Sequence, residues 1–252
     1  MDLAEYQRLN PRCTLHHEGA DITFFTPNTH TRWRVESLFE KEPSTIEWIA
    51  GFAPGEVLVD VGANVGMYTV WSAVTRGVRV FAFEPESQNY ALLNRNILAN
   101  RLDGRVRAFC VALSDRSGLG ELHISEFLVG GSCHSLDQPV DFKHQPMRPA
   151  YTQGCVSATL DDLVAAGKVP APDHVKIDVD GFEPQVIEGA RNTVRDGKVR
   201  SVLIEINQNL PDHMALVRRM QDWGYRFDPA QVARVERRAG TFKGCAEYVF
   251  VR

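Results

Sequence analysis

The run Val57-Leu58-Val59-Asp60-Val61 passes directly into a glycine-bearing turn, residues 62–66, and then into an apolar helical pattern over 67–75. A short, β-branched, mostly apolar run of this kind marks a strand buried on both faces. Glycine lets backbone approach a neighbour or a ligand without a Cβ in the way. The helix that follows starts with backbone N–H groups that have no partner inside the helix. Strand, glycine turn and helix in that order form the first crossover of a parallel sheet. Ligands of such sheets sit beyond the carboxyl ends of the strands.

The rest of the chain repeats that rhythm. Strand patterns are expected at 78–83, 106–113, 175–179 and 201–206. A helix over 86–100 places Tyr90, Leu93 and Ile97 on one face. Thr159 is placed to cap a short helix ending at Gly167, and Pro184 suits a first helical turn. A helix over 212–223 carries Leu216, Met220 and Trp223 on one face, and 225–227 and 247–251 read as a late hairpin. Alternation of this sort gives right-handed crossovers. The expected fold is α/β, a doubly wound, mostly parallel seven-stranded, Rossmann-like sheet.

Ahead of it lies a lead-in, residues 1–52, with a short strand at 22–25. Ser44 and Glu47 have capping-box spacing, so a helix is expected to run to Gly51 in a left-handed stop. Residues 53–252 form the main domain. The stretch 119–157 breaks the rhythm with Gly130-Gly131-Ser132 and three prolines. It is expected to be a long loop, with 122–156 facing the substrate.

Bulk properties narrow the function. A net charge of −4 in 252 residues gives no general grip on nucleic acid. Arg234, Arg237 and Arg238 read as a solvated face. The five cysteines are irregularly spaced, which suggests neither a disulfide framework nor a zinc site and fits a reducing cytoplasm. No apolar run approaches the roughly 20 residues of a membrane span, and no signal peptide is evident. Nothing in the pattern sets an oligomeric state.

The turn's spacing separates candidate ligands. A dinucleotide fingerprint is G-x-G-x-x-G, but Asn64 stands where the middle glycine would be, leaving Gly62 and Gly66. This argues against a nicotinamide-dependent oxidoreductase. No G-K-[ST] follows, so a phosphate-binding P-loop is excluded. Asp60, just before the turn, suits an ammonium group, as in the methionine tail of S-adenosylmethionine. Glu84 ends the next strand, where a carboxylate accepts hydrogen bonds from ribose hydroxyls. Ser114 follows the third strand and is placed to reach a base edge.

These stretches, VLVDVGANVGMYT (57–69), VFAFEPES (80–87), VALSDRSG (111–118), HVKIDVDGFEPQVIEGA (174–190) and VLIEIN (202–207), resemble the FkbM-like family of S-adenosylmethionine-dependent methyltransferases over roughly residues 55–210. The resemblance implies a class I methyltransferase fold and O-methylation of sugars, glycans or secondary metabolites. By position it implies that Asp60, Gly62 and Glu84 contact the cofactor. Asp180 departs from the pattern, since many members carry Glu there.

Opposite the cofactor turn, Asp178, Asp180, Glu183, Glu205 and Asn207 are expected at one rim of the sheet. A hydroxyl nucleophile must be aligned and must lose its proton, which a carboxylate at Asp178 or Asp180 can accept. The same acids are hard oxygen ligands suited to a divalent cation, although no metal is assigned. Glu183 equally suits a helix-capping role. Lys176 shares a strand face with Asp178 and is expected to pair with it. His134 is a base candidate if the long loop folds over the site. His174 lies about 13 Å before Asp178 along an extended strand, toward the wrong end of the sheet. A non-catalytic module that binds the cofactor and holds a partner is the alternative to an enzyme.

Overall fold

The computed structural model describes residues 2, 3, 5 and 9–252. It opens on an antiparallel hairpin, β1 (Arg12–His17) and β2 (Ala20–Phe25), followed by three short helices, α1 (Thr29–Glu36), α2 (Leu38–Lys41) and α3 (Pro43–Ala50). Asn28 caps α1 through its side chain, which accepts from the Thr31 N–H.

The expected capping box at Ser44 does not form. Pro43 occupies the first turn of α3 with Glu42 at the cap, and Ser44 is buried, accepting from Gln231 Nε2 at 2.8 Å. Gly51 ends the helix at φ −80°, so no left-handed stop is used. The proline fixes the start of α3, and Ser44 is taken up by a tertiary partner.

The central sheet is doubly wound and almost wholly parallel. Its strands are β3 (Val57–Val61), β4 (Arg79–Phe83), β5 (Val106–Phe109), β10 (His174–Ile177), β11 (Ser201–Asn207) and β12 (Cys245–Val251). Their spatial order is β12-β11-β10-β3-β4-β5, with only β12 antiparallel. The reversal of direction between β3-β4-β5 and β10-β11 puts the switch point beside β3. The sheet has six strands where seven were expected. Residues 225–227 contribute one bridge, Arg226 to Val251, instead of a strand.

Both faces are covered. One apolar cluster joins Val59, Val61 and Ile177 to Val186, Leu216 and Phe250. The other joins Leu58, Val80 and Ala82 to Val70, Leu93, Ile22 and Phe24. The lead-in hairpin therefore belongs to the core of the main sheet. Helices α4 (Met67–Arg76) and α5 (Ser87–Ala99) cover that second face. Asn96 on α5 and Asn100 at its C-terminal cap fasten β2: Oδ1 of each accepts a β2 N–H, at 2.8 and 2.9 Å.

The break in rhythm after β5 is a second sheet. The expected strand 106–113 splits at Cys110–Val111. Its end becomes β6 (Ala112–Leu113), which joins β7 (Gly118–Ile124), β8 (Ser135–Leu136) and β9 (Tyr151–Ala158) in the order β6-β9-β7-β8. Much of the stretch expected as loop is thus a long antiparallel pair, β7 with β9. Thr159 caps α6 (Leu160–Ala165) as expected. After β10 come α7 (Glu183–Gly189) and α8 (Arg191–Asp196). α9 (Pro211–Asp222) follows β11, and α10 (Pro229–Val235) precedes β12. Strand β10 stops at Ile177, so Asp178–Asp180 are loop. Among the described residues, no helix is long and apolar enough to cross a membrane.

Candidate active site

A cavity of about 200 Å³ opens at the carboxyl ends of β3, β4 and β10. Gly62, Asn64, Glu84, Ser114, His134, Asp178 and Asp180 all line it.

Gly62 is dictated by the sheet itself. It sits at φ +78°, and a Cβ there would lie 1.9 Å from the Asp178 carbonyl oxygen. No side chain fits between the ends of β3 and β10. Gly66 has a packing role. It is not among the residues lining this cavity, and a Cβ there would meet Leu93 Cδ1 at 2.3 Å, so the missing Cβ seats α4 against α5.

Glu84 is buried at the end of β4. Its Oε2 accepts from the Asn64 N–H at 2.8 Å and its Oε1 from the Glu86 N–H at 2.9 Å. Burial pushes its carboxyl up to about 7 against the pull of these bonds. A carboxylate has about four lone-pair sites, so Glu84 keeps acceptor capacity for a ligand hydroxyl. Ser114 is buried on the same wall, its Oγ 3.2 Å from Asp115 Oδ1.

Asp60 lies on the other side of the turn. It faces a smaller recess of about 40 Å³, which shares Gly62, Asn64 and Asp178 with the main cavity. Thr69 Oγ1 donates to Oδ2 at 2.5 Å, while the buried Oδ1 has no hydrogen-bond partner among the described residues. Burial raises its pKa.

Lys176 Nζ donates to Asp178 Oδ2 at 2.8 Å, the pair expected from their shared face. Burial works against the charge on Asp178, but Lys176 and then Lys41 outweigh it and hold the carboxyl well below its usual range. Asp180 is different. At φ +55°, it accepts from the Cys133 N–H at 2.7 Å, and burial together with Asp178 lifts its pKa.

His134 does fold over the site. The Ser125 N–H points at its Nδ1 at 3.3 Å, while Ser125 Oγ gives its proton to the Ser132 carbonyl at 2.6 Å. That network assigns the proton of the neutral ring to Nε2. Nε2 is buried with no partner among the described residues, and burial lowers the ring's pKa.

Other residues weighed from the sequence lie elsewhere. Glu183 accepts from the Val179 and Gly181 N–H groups at 3.0 and 3.1 Å, closing the loop after β10. His174 is at the far end of the sheet, stacked on Phe52 and bonded to Ser201 and Glu56. Arg237 is no solvated residue. It pairs with Glu205 at 2.5 Å and with Glu247 at 2.9 Å, both buried or nearly so. Asp178, Asp180 and Glu205 lie close enough together for a cation. Lys176 and Arg237 already neutralise two of the three.

Sequence reasoning missed Asn89. Its Oδ1 accepts from the Gly130 N–H at 2.7 Å and its Nδ2 donates to the Gly131 carbonyl at 3.1 Å, shaping the cavity's outer edge. The signal was present: Asn89, Asn96 and Asn100 recur at helical spacing along α5 and its C-terminal cap.

Residues 60–227, well over half of the chain, match the model of the methyltransferase FkbM domain. Hexuronic acid methyltransferase AglP of Haloferax volcanii is 28% identical over 192 residues, 75% of this chain and 72% of that protein. The 31-O-demethyl-FK506 methyltransferase FkbM of Streptomyces tacrolimicus is 26% identical over 175 residues, 61% and 66% of the two chains. The 2-O-methyltransferase NoeI of Sinorhizobium fredii is 30% identical over 151 residues, 56% and 60%. Among solved structures, magnesium protoporphyrin IX methyltransferase of Synechocystis PCC 6803 overlaps 90% of this chain and 85% of its own at 11% identity and a TM-score of 0.48. The chain belongs to the FkbM family of S-adenosylmethionine-dependent methyltransferases.

Proposed function

We propose that this enzyme methylates a hydroxyl of a sugar, glycan or secondary metabolite. The observation that carries this reading is the make-up of the cavity. A carboxylate suited to ribose, Glu84, and an acid with an imidazole, Asp180 and His134, line the same cavity. The residues fit the cofactor. Glu84 has lone pairs to spare, Gly62 presents bare backbone, and the unpartnered Asp60 Oδ1 lies behind the same turn. When bound, S-adenosylmethionine supplies an electrophilic methyl carbon, leaving the protein to orient a nucleophile and relieve it of a proton.

Asp180 takes that proton. Its raised pKa brings it nearer a hydroxyl's needs than Asp178, which Lys176 keeps charged and inert. His134 is a donor: with Nδ1 engaged by Ser125, its Nε2–H orients an acceptor oxygen. The second sheet, β6 to β9, selects the acceptor. The relatives support this reading, since their names include a hexuronic acid, an FK506 and a 2-O-methyltransferase.

The test is a methyl-transfer assay against sugars, nucleotide sugars and polyketide aglycones, read by mass shift. A gain of one methyl on an oxygen, lost in Asp180→Asn, is expected. Cofactor binding without turnover on any of these would favour a binding module, and no cofactor binding would end the reading.

A further inference from the structure

The sheet has two unlike poles. Its carboxyl pole holds the cavity with Glu84, Asp178 and Asp180. At its amino pole the chain leaves α5 and enters β5 through a tight turn. The Arg101 N–H donates to the Leu98 carbonyl at 3.0 Å, and the Arg105 and Val106 N–H groups both donate to the Leu102 carbonyl at 2.8 Å. Leu102 and Val106 are buried and fix the turn to the core. Leu98 is 73% exposed beside them, and Arg101, Asp103, Arg105 and Arg107 are exposed as well.

Arg79, also exposed, starts the neighbouring strand. Its guanidinium carbon lies 5.7 Å from the centre of the Phe81 ring, and Phe81 is the register partner of Arg107. Arg105 Nη1 lies 3.7 Å from the point where a Gly77 Cβ would stand, and Arg107 folds its Nη1 back onto the Asp103 carbonyl. Arg79, Arg101, Arg105 and Arg107 therefore share one corner, and none of them forms an ion pair among the described residues. Glu56, the acid nearest in the fold before β3, is taken by Arg200 and His174. Acids outnumber bases over the whole chain, at a net charge of −4, so this unpaired basic corner is no by-product of composition.

We propose that this corner docks on an anionic lipid bilayer, with the four guanidinium groups on lipid headgroups and Leu98 entering the interface. Basic side chains beside an exposed aliphatic one match the charge and polarity of such a surface. A single-stranded nucleic-acid site interleaves aromatic side chains for stacking, and a protein hot spot is built on aromatic anchors. The large exposed aromatics among the described residues, Trp33, Phe39, Phe127 and Tyr151, all lie on other segments. The docking is independent of the acceptor reading above. It turns the cavity, at the opposite pole, away from the lipid and toward water.

Sedimentation with vesicles of phosphatidylcholine, alone or mixed with an equal part of phosphatidylglycerol, tests this. The chain should bind the mixed vesicles and not the neutral ones, and added salt should release it. Each arginine at such a surface is worth about fivefold in binding. Arg101→Gln combined with Arg105→Gln should therefore weaken binding roughly 25-fold, and Leu98→Ser about fivefold. An unchanged thermal unfolding midpoint shows that each variant is folded. No binding to the mixed vesicles, or binding by either variant equal to the wild type, overturns the proposal. So does a DNA duplex that binds more tightly than the mixed vesicles and loses that binding in the arginine variant, which would assign the corner to nucleic acid.

Discussion

The cavity wall that carries Gly62 and Glu84 and the wall that carries His134 are made differently. The first is the end of a parallel sheet buried on both faces, where β3 is buried at every position. Its polar groups are fixed by backbone donors, and its turn has no room for an extra methyl. The second hangs from β7 and β9, which leave much of their surface to solvent. Leu119 is 90% exposed and Val156 48%. A wall fixed by long-range packing suits a ligand that never changes. A wall with one free face can alter its side chains at little cost in stability, which suits an acceptor that differs between relatives.

The sharpest way to break this contrast is Lys176→Met. It leaves Asp178 buried beside the turn without its partner, and a loss of about 3–5 kcal/mol in urea unfolding is expected. A loss below about 1 kcal/mol would show that this wall is not held by the pair. Next is Gly62→Ala, which adds a left-handed alanine and a clash with the Asp178 carbonyl. A loss of roughly 3 kcal/mol should appear in thermal unfolding.

Glu84→Gln sharpens the contrast by separating stability from function. Burial lifts this carboxyl to about 7 from an ordinary 4.5. Between those values the folded chain keeps a proton that the unfolded chain has released. The residue's contribution is therefore full below pH 4.5 and is lost as pH rises through 7. The glutamine variant should match the wild type at pH 4, exceed it by roughly 3 kcal/mol at pH 8, and bind cofactor more weakly. A variant no more stable at pH 8 would contradict the burial argument. The smallest effect belongs to the other wall. Val156→Thr should change unfolding free energy by less than about 0.5 kcal/mol, and a much larger loss would show that this strand's outer face is covered.

The same contrast separates what was legible from what was not. The unit 57–76, Glu84 and the Lys176–Asp178 pair follow from local pattern, because a strand's period and its terminal residue are set by neighbours in sequence. The sheet β6-β9-β7-β8 does not. It joins residues far apart in the chain, such as Leu119 with Val156, through a segment broken by glycine and proline. Asp60 was expected at the site from its place before the turn, but its facing the recess depends on how β10 packs beside β3. Arg34, which also lines that recess, lies outside every motif. Arg237 looked like part of a basic surface run, and only the folded chain reveals the two acids that it joins.

The two residues Gly130 and Gly131 have a mechanical consequence. Their backbone is held from three directions at once: Arg34 on the Gly130 oxygen, Asn89 on the Gly130 nitrogen, and Asn64 with Asn89 on the Gly131 oxygen. These three neighbouring peptides thereby tie the lead-in, the first turn and α5 to one another. Displacing this short segment would cost all of those bonds, so its position is set by the elements around it.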